Sequence, residues 1–221
     1  MLTDDLNNMQ KEAVLNINGP LLLLAGAGSG KTRVITYRIA YMVEQGINPF
    51  NILAITFTNK AAKEMKERVN KLLDDNGVWI STFHSMCVKI LRQYINYIDY
   101  DNNFIIYDTD DSEKILKESI KELNLSDKMF PTKKVMSIIS EKKDKLITPL
   151  DFEKEAFGDN IQSKMAEIYK LYQSKLKESN ALDFDDIIFK TRELFKKNND
   201  ILEKYQSRFM YIMVDEYQDT N

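Results

Sequence analysis

A single cysteine, Cys87, in 221 residues excludes an internal disulfide and a cysteine-ligated zinc site. Because it sits on an apolar stripe, a buried thiol is the expected reading. The single histidine, His84, likewise excludes a histidine metal cluster. Neither charge sign dominates: 31 Lys and Arg face 34 Asp and Glu, a net of -3. That balance fits a soluble globular chain with no overall pull toward nucleic acid, so any such contact must be a local patch. No apolar run approaches the ~20 residues of a membrane-spanning helix. The N-terminus also has no signal-peptide pattern, so no membrane is expected as a partner and a cytoplasmic location is the default. Glycine is scarce too, at seven, yet four of the seven lie between Gly19 and Gly30.

That concentration marks the most informative segment. Ala25-Gly26-Ala27-Gly28-Ser29-Gly30-Lys31-Thr32 fits G-x-x-x-x-G-K-[ST], with Ala25 at the first position. Before it stands Leu21-Leu22-Leu23-Leu24, an apolar run suited to a buried strand. After it come Ile35, Ile39, Met42 and Val43 at helical spacing. Strand, glycine-rich turn and helix are the context of a phosphate-binding loop, in which backbone N–H groups and a helix N-terminus face the phosphates. Lys31 is then expected at the β- and γ-phosphates of ATP, and the Thr32 hydroxyl on Mg²⁺.

Strand and helix alternate over 21–104. Ile52–Ile55 reads as a strand followed by a helix bearing Ala61, Met65, Val69 and Leu72. Val78-Trp79-Ile80 reads as another, followed by a helix with Cys87, Ile90, Leu91, Tyr94 and Ile98. This predicts a parallel sheet flanked by helices. From about 106 the strand-like runs stop and helical stripes take over, around Leu116 to Leu123, Val135 to Ile139, and Ile161 to Leu176. Residues 106–180 are therefore read as an all-helical insertion. Residues 1–105 and 181–221 then form one α/β domain, with a helix around Phe184–Phe195 and a strand at Tyr211–Val214. A sheet domain normally continues into a covering helix, so a C-terminally truncated piece of a longer protein is expected.

Asp215 and Glu216 close that last strand. In phosphate-loop ATPases an aspartate in this place holds Mg²⁺, which assigns Asp215 to the metal. The following Glu216 is the expected general base for the attacking water. Asp183, Asp185 and Asp186 could suggest a metal nuclease. An acid-rich helix start is physically cheaper, with Asp183 as cap and Asp186 three residues on.

The segment Asp215-Glu216-Tyr217-Gln218-Asp219-Thr220-Asn221 resembles the second helicase motif of the UvrD/PcrA/Rep group of superfamily 1 DNA helicases. The spelling Ala-Gly-Ala-Gly-Ser-Gly-Lys-Thr-Arg is also that group's. Leu6-Asn7 to Gln10 resembles its upstream glutamine motif, Thr56–Ala62 its motif Ia, Ser81–Ser85 its motif Ib, and Leu182–Asp186 a further signature. The likeness runs through essentially the whole chain and implies a RecA-like motor domain. It implies that Gln10 reads the adenine edge and Arg33 lies on the adenine face. It implies DNA contact at Thr56, Phe57, Thr58, Asn59 and Lys60, and again at Thr82 and His84, where Phe83 repeats the layout. An aromatic ring with hydroxyls, an amide and helix-end N–H groups suits sequence-blind single-strand binding.

The function so implied is the ATP-binding part of a helicase. Such an enzyme translocates 3′ to 5′ on single-stranded DNA and opens single-strand/duplex junctions, in repair or replication. Two alternatives stand beside it: a non-catalytic ATP- and DNA-binding module, and the motor subunit of a recombination helicase-nuclease. Turnover by these 221 residues alone is expected to be slight. The family's γ-phosphate arginines come from segments beyond Asn221, and such groups contribute ~10³–10⁵ in rate.

Overall fold

The computed structural model describes residues 2–26, 28–73 and 77–220. Strand β1 (Ile52–Thr56) is buried at all five positions. A continuous apolar, β-branched run of this kind belongs in the middle of a parallel sheet, covered on both faces. Its neighbours are β2 (Trp79–Thr82) and, on the other edge, β5 (Tyr211–Val214), both parallel to it. The register pairs Thr56 with Thr82 and Ile55 with Val214. The carboxyl ends of three parallel strands therefore lie side by side, the place where open α/β sheets bind ligands.

Helices α1 (Asn8–Leu15), α2 (Lys31–Glu44) and α3 (Asn59–Leu72) belong to the same unit. Ile35, Ile39 and Met42 of α2 and Met65 and Val69 of α3 share a core with Ile52, Ala54 and Val78. This unit comprises residues 1–86 and 200–221, which include most of α10 (Asn199–Arg208).

The second unit comprises residues 87–199. It holds most of α4 (Phe83–Tyr94), then α5 (Thr109–Glu122), α6 (Thr132–Asp144), α7 (Pro149–Glu155), α8 (Asn160–Glu178) and α9 (Phe184–Lys197). A two-residue parallel pair, β3 (Ile105–Ile106) with β4 (Ala181–Leu182), ties its two ends together. Its core is helical, built on Leu116, Phe130, Val135, Phe152, Tyr169 and Leu176. Compactness thus divides the chain at other residues than the change of texture at 106 and 180. The reason is local packing: Ile95, Ile98 and Phe104 are buried, and the 3₁₀ turn Ile95–Ile98 packs on α9. Cys87 is buried as expected. Burial pushes its thiol pKa up, opposed by a hydrogen bond with Thr191.

One expected element does not form. Leu21–Leu24 carries no strand pairing, and Leu21, Leu22 and Leu24 are exposed. A strand needs a ladder partner for its N–H and C=O groups, and among the described residues none pairs with this run. The last strand matches its expected span, whereas β2 runs two residues past the predicted Ile80 to Thr82.

The acids at 183–186 form the cap read from the sequence. Asp183 accepts from the Asp186 N–H at 2.8 Å, and Asp186 reaches back toward the Asp183 N–H, completing a capping box. Their other partner is Lys143 of α6, whose Nζ lies 2.6 Å from Asp183 and 2.9 Å from Asp186. Tyr172 also donates to Asp183, at 2.8 Å. These carboxylates are bound to a cation of the protein itself.

Candidate functional site

The phosphate-loop segment is exposed at Ala25, Gly26, Gly28 and Ser29 and half-buried at Gly30, Lys31 and Thr32, where it enters α2; Ala27 lies outside the described residues. Gly28 and Gly30 have φ of 75° and 88°, left-handed values that glycine adopts without steric cost. Gly30 is the residue before α2, so the loop turns into the helix at a position where a side chain would be strained. A Cβ there would also stand 3.0 Å from Gln10 Nε2. Lys31 Nζ folds over the loop and donates to the carbonyls of Ala25 and Gly26, at 2.9 and 3.0 Å. Ser29 Oγ donates to Gly26 at 2.7 Å.

Asp215 arrives from the other end of the chain. Its N–H donates to Ile55 at 2.9 Å, continuing the β1–β5 ladder by one residue, and the residue is buried. Its Oδ2 accepts the Thr32 hydroxyl at 2.9 Å, across 183 residues of sequence. Loop and acidic strand end therefore meet, as the sequence reading required. A hydroxyl and a carboxylate so placed suit a hard cation such as Mg²⁺, which takes few protein oxygens and completes its shell with phosphate and water. Among the described residues no group of three or more His, Cys, Asp or Glu could hold a metal unaided. Glu216 follows in the left-handed region, φ 55°, exposed, with its N–H donating to Asp215 Oδ1 at 3.1 Å. Asn221, the last residue of that motif, lies outside the described residues.

Gln10 is tied to the loop. Its Nε2 donates to the Ser29 carbonyl at 3.0 Å, and its Oε1 accepts from the Asn7 N–H at 3.1 Å in the capping box of α1. Arg33 is exposed on the first turn of α2, 5.3 Å from the Tyr37 ring centre. The structure thus brings Gln10, Ser29, Gly30, Lys31, Thr32 and Asp215 together.

A second cluster lies at the ends of β1 and β2. Thr58 caps α3, accepting the Ala61 N–H at 3.1 Å, and Thr82 caps the first turn of α4 through the Ser85 N–H at 3.2 Å. Thr56 and Thr82 are buried, and the Thr56 hydroxyl donates to the Thr58 carbonyl at 3.1 Å. Both therefore stand behind the surface and shape it. Phe57 and Phe83 are half-buried and meet edge to face, ring centres 5.7 Å apart. Thr58, Asn59 and Lys60 are exposed, and His84 is half-buried. Ser85 was not singled out as a site residue. Its hydroxyl accepts from Thr82 at 2.9 Å and donates to Asn59 at 3.4 Å, joining the two turns. Its spacing of three from Thr82 was the available signal.

A parallel α/β unit whose glycine-rich loop meets an acidic strand end belongs to the class of phosphate-loop nucleotide-binding domains. Within that class the chain belongs to the UvrD/REP helicase family, its residues 6–221 matching the UvrD/REP helicase N-terminal domain. It is 52% identical over 223 residues to the ATP-dependent DNA helicase PcrA of Bacillus subtilis (strain 168). It is 50% identical over the same length to that of Staphylococcus aureus (strain NCTC 8325 / PS 47). Each match covers 100% of this chain and 30% of the relative, so the chain spans under a third of their length.

Proposed function

We propose that this chain is the ATP-binding part of a DNA helicase that couples ATP hydrolysis to 3′-to-5′ movement on single-stranded DNA, in repair or replication. The observation that carries the reading is the 2.9 Å contact between Thr32 and Asp215. Bound Mg²⁺ would supply charge neutralisation at the phosphates, with Thr32 and Asp215 as its protein ligands. Lys31 holds the β- and γ-phosphates after leaving the Ala25 and Gly26 carbonyls, and Glu216 takes the proton of the attacking water. Gln10 and Arg33 meet the adenine, and the loop segment 25–32 wraps the phosphates. Residues 106–180 serve as the helical insertion in a motor domain formed by 1–105 and 181–221.

DNA is met at the ends of β1 and β2. Phe57 offers a ring for base stacking, while Thr58, Asn59, Lys60 and His84 meet the backbone. Thr56 and Thr82 hold the two turns in shape. Single strands and single-strand/duplex junctions are the substrates of this reading, and the cytoplasm its compartment.

The test is fluorescence anisotropy with a labelled deoxythymidine oligomer. Binding should weaken with salt, and Phe57→Ala should weaken it by ~1–3 kcal/mol, the value of a lost base stack. An oligomer bound equally well by Phe57→Ala and wild type would overturn the DNA surface.

A further inference from the structure

Arg38 is a buried arginine on the apolar stripe of α2, between Val34 and Met42. Burial pushes its pKa down, and its hydrogen bonds do not go to the phosphate loop. Its guanidinium instead points at the end of α1. Nη1 donates to the carbonyls of Ala13, at 2.6 Å, and Asn16, and Nη2 to that of Ile17 at 3.2 Å. These lie at and just past the C-terminus of α1, where helix carbonyls have no partner of their own. Helix α1 has no basic residue in its last turn, so Arg38 supplies from α2 the cation that a helix C-terminus favours.

Helix α1 has only eight residues, and isolated helices of that length are marginal in water. It is held at three places. Asn7 and Gln10 close its N-terminus by the capping box. Ala13 and Val14 pack with Leu6 and Val34 in a small apolar cluster. Arg38 closes its C-terminus. Gln10 sits in the first turn of this helix and reaches Ser29 of the loop. Where Gln10 stands therefore depends on where α1 is held.

We propose that Arg38 is a positioning residue for base recognition: by closing the C-terminal carbonyls of α1 it sets Gln10 against the phosphate loop. The proposal rests on the reading of the loop as an ATP site with Gln10 at the adenine. It assigns Arg38 to selectivity among bases and leaves phosphate affinity to the loop.

The experiment measures binding of Mg·ATP, Mg·GTP and magnesium tripolyphosphate to the 221-residue chain by calorimetry. Wild type, Arg38→Met and Arg38→Lys are compared. Met keeps an unbranched apolar stem and removes every donor. Wild type should prefer ATP to GTP. Arg38→Met should lose about tenfold of that preference, the value of one or two amide hydrogen bonds to the base. Its tripolyphosphate affinity should stay within about twofold. Arg38→Lys, with a cation but no planar fork, should recover part of the preference. Should Arg38→Met lose its melting transition, the ATP-to-GTP ratio of Arg38→Lys decides, expected between wild type and unity. An unchanged ratio in the folded variants overturns the proposal. So does a parallel loss of tripolyphosphate binding, which would make Arg38 a general prop of the loop. Failure of wild type to bind any of the three ligands overturns the nucleotide-site reading itself.

Discussion

Glu216 carries two demands that pull against each other. Its backbone lies in the left-handed region, φ 55°, which costs a residue with a side chain ~1–2 kcal/mol. The turn is held by its N–H on Asp215 Oδ1 and by its carbonyl, which accepts the Asp219 N–H at 2.9 Å. Glycine would relieve that strain, while its greater freedom when unfolded offsets roughly 0.4–1 kcal/mol of the gain. Glu216→Gly is therefore expected to leave the urea midpoint unchanged or raise stability by up to about 1.6 kcal/mol. In a longer protein carrying this chain the same change should stop ATP hydrolysis. A Glu216→Gly variant that turned over ATP at the normal rate would remove Glu216 from the general-base role.

Among the elements, α6 and α9 depend most on one cluster. Lys143 is almost fully buried against Asp183 and Asp186, and their charges keep its pKa high despite desolvation. Removing one partner of such a buried group strands the others, at a cost of ~3–5 kcal/mol. Lys143→Met should lower the unfolding free energy by that amount, read from denaturant titration. The two acids differ. Burial alone would raise both; Lys143 and Tyr172 hold the Asp183 pKa below the ordinary carboxylate value, whereas at Asp186 desolvation wins and raises it. A depressed carboxyl stabilises above its unfolded pKa and loses that contribution as pH falls through the folded value. A raised one has the opposite slope, its contribution falling as pH rises. Asp183 should thus carry the acid limb of stability, below about pH 4. Asp183→Asn should flatten that limb and cost more at neutral pH than Asp186→Asn. Equal losses from the two variants would contradict the assignment.

The same elements show what could be read from the sequence. Strands β1 and β5 announced themselves as short apolar runs, and β5 matched to the residue. Helix α9 was legible from its apolar stripe and its acidic start. Helices α7 and α10 escaped: the first is seven residues long, and each buries only one or two side chains, too few to give a stripe. The β3–β4 pair escaped because two residues show no period. Leu21–Leu24 failed for the converse reason, since composition speaks for burial and cannot supply a ladder partner. At the site, Lys31 and Thr32 were legible because phosphate binding dictates their spacing from the glycines, and Asp215 because it closes an apolar strand. Ser85 showed only its spacing of three from Thr82, the mark of a helix cap, and Arg38, which acts through other residues, carried none.

For the molecule as a whole, the near balance of charge offers no global pull toward nucleic acid, so the proposed DNA binding would fall to a small surface at the ends of β1 and β2. Affinity for an oligomer should accordingly fall with salt along a shallow slope, set by the few cations that neutralise phosphates. No described helix is long and apolar enough to cross a membrane. The γ-phosphate arginines that the family resemblance places outside these residues would contribute ~10³–10⁵ in rate. The 221 residues should therefore show little DNA-stimulated ATP hydrolysis while still binding nucleotide. Robust turnover by this chain alone would show that its own residues complete the catalytic set.

Calorimetric titration of ATP, with and without Mg²⁺, into wild type, Lys31→Ala and Asp215→Asn probes the junction of loop and acidic strand most directly. Wild type should bind ATP more tightly when Mg²⁺ is present. Lys31→Ala should bind weakly in both conditions, and Asp215→Asn should bind with the benefit of Mg²⁺ gone. Equal affinity in all three proteins, indifferent to Mg²⁺, would mean that Thr32 and Asp215 meet for structural reasons alone.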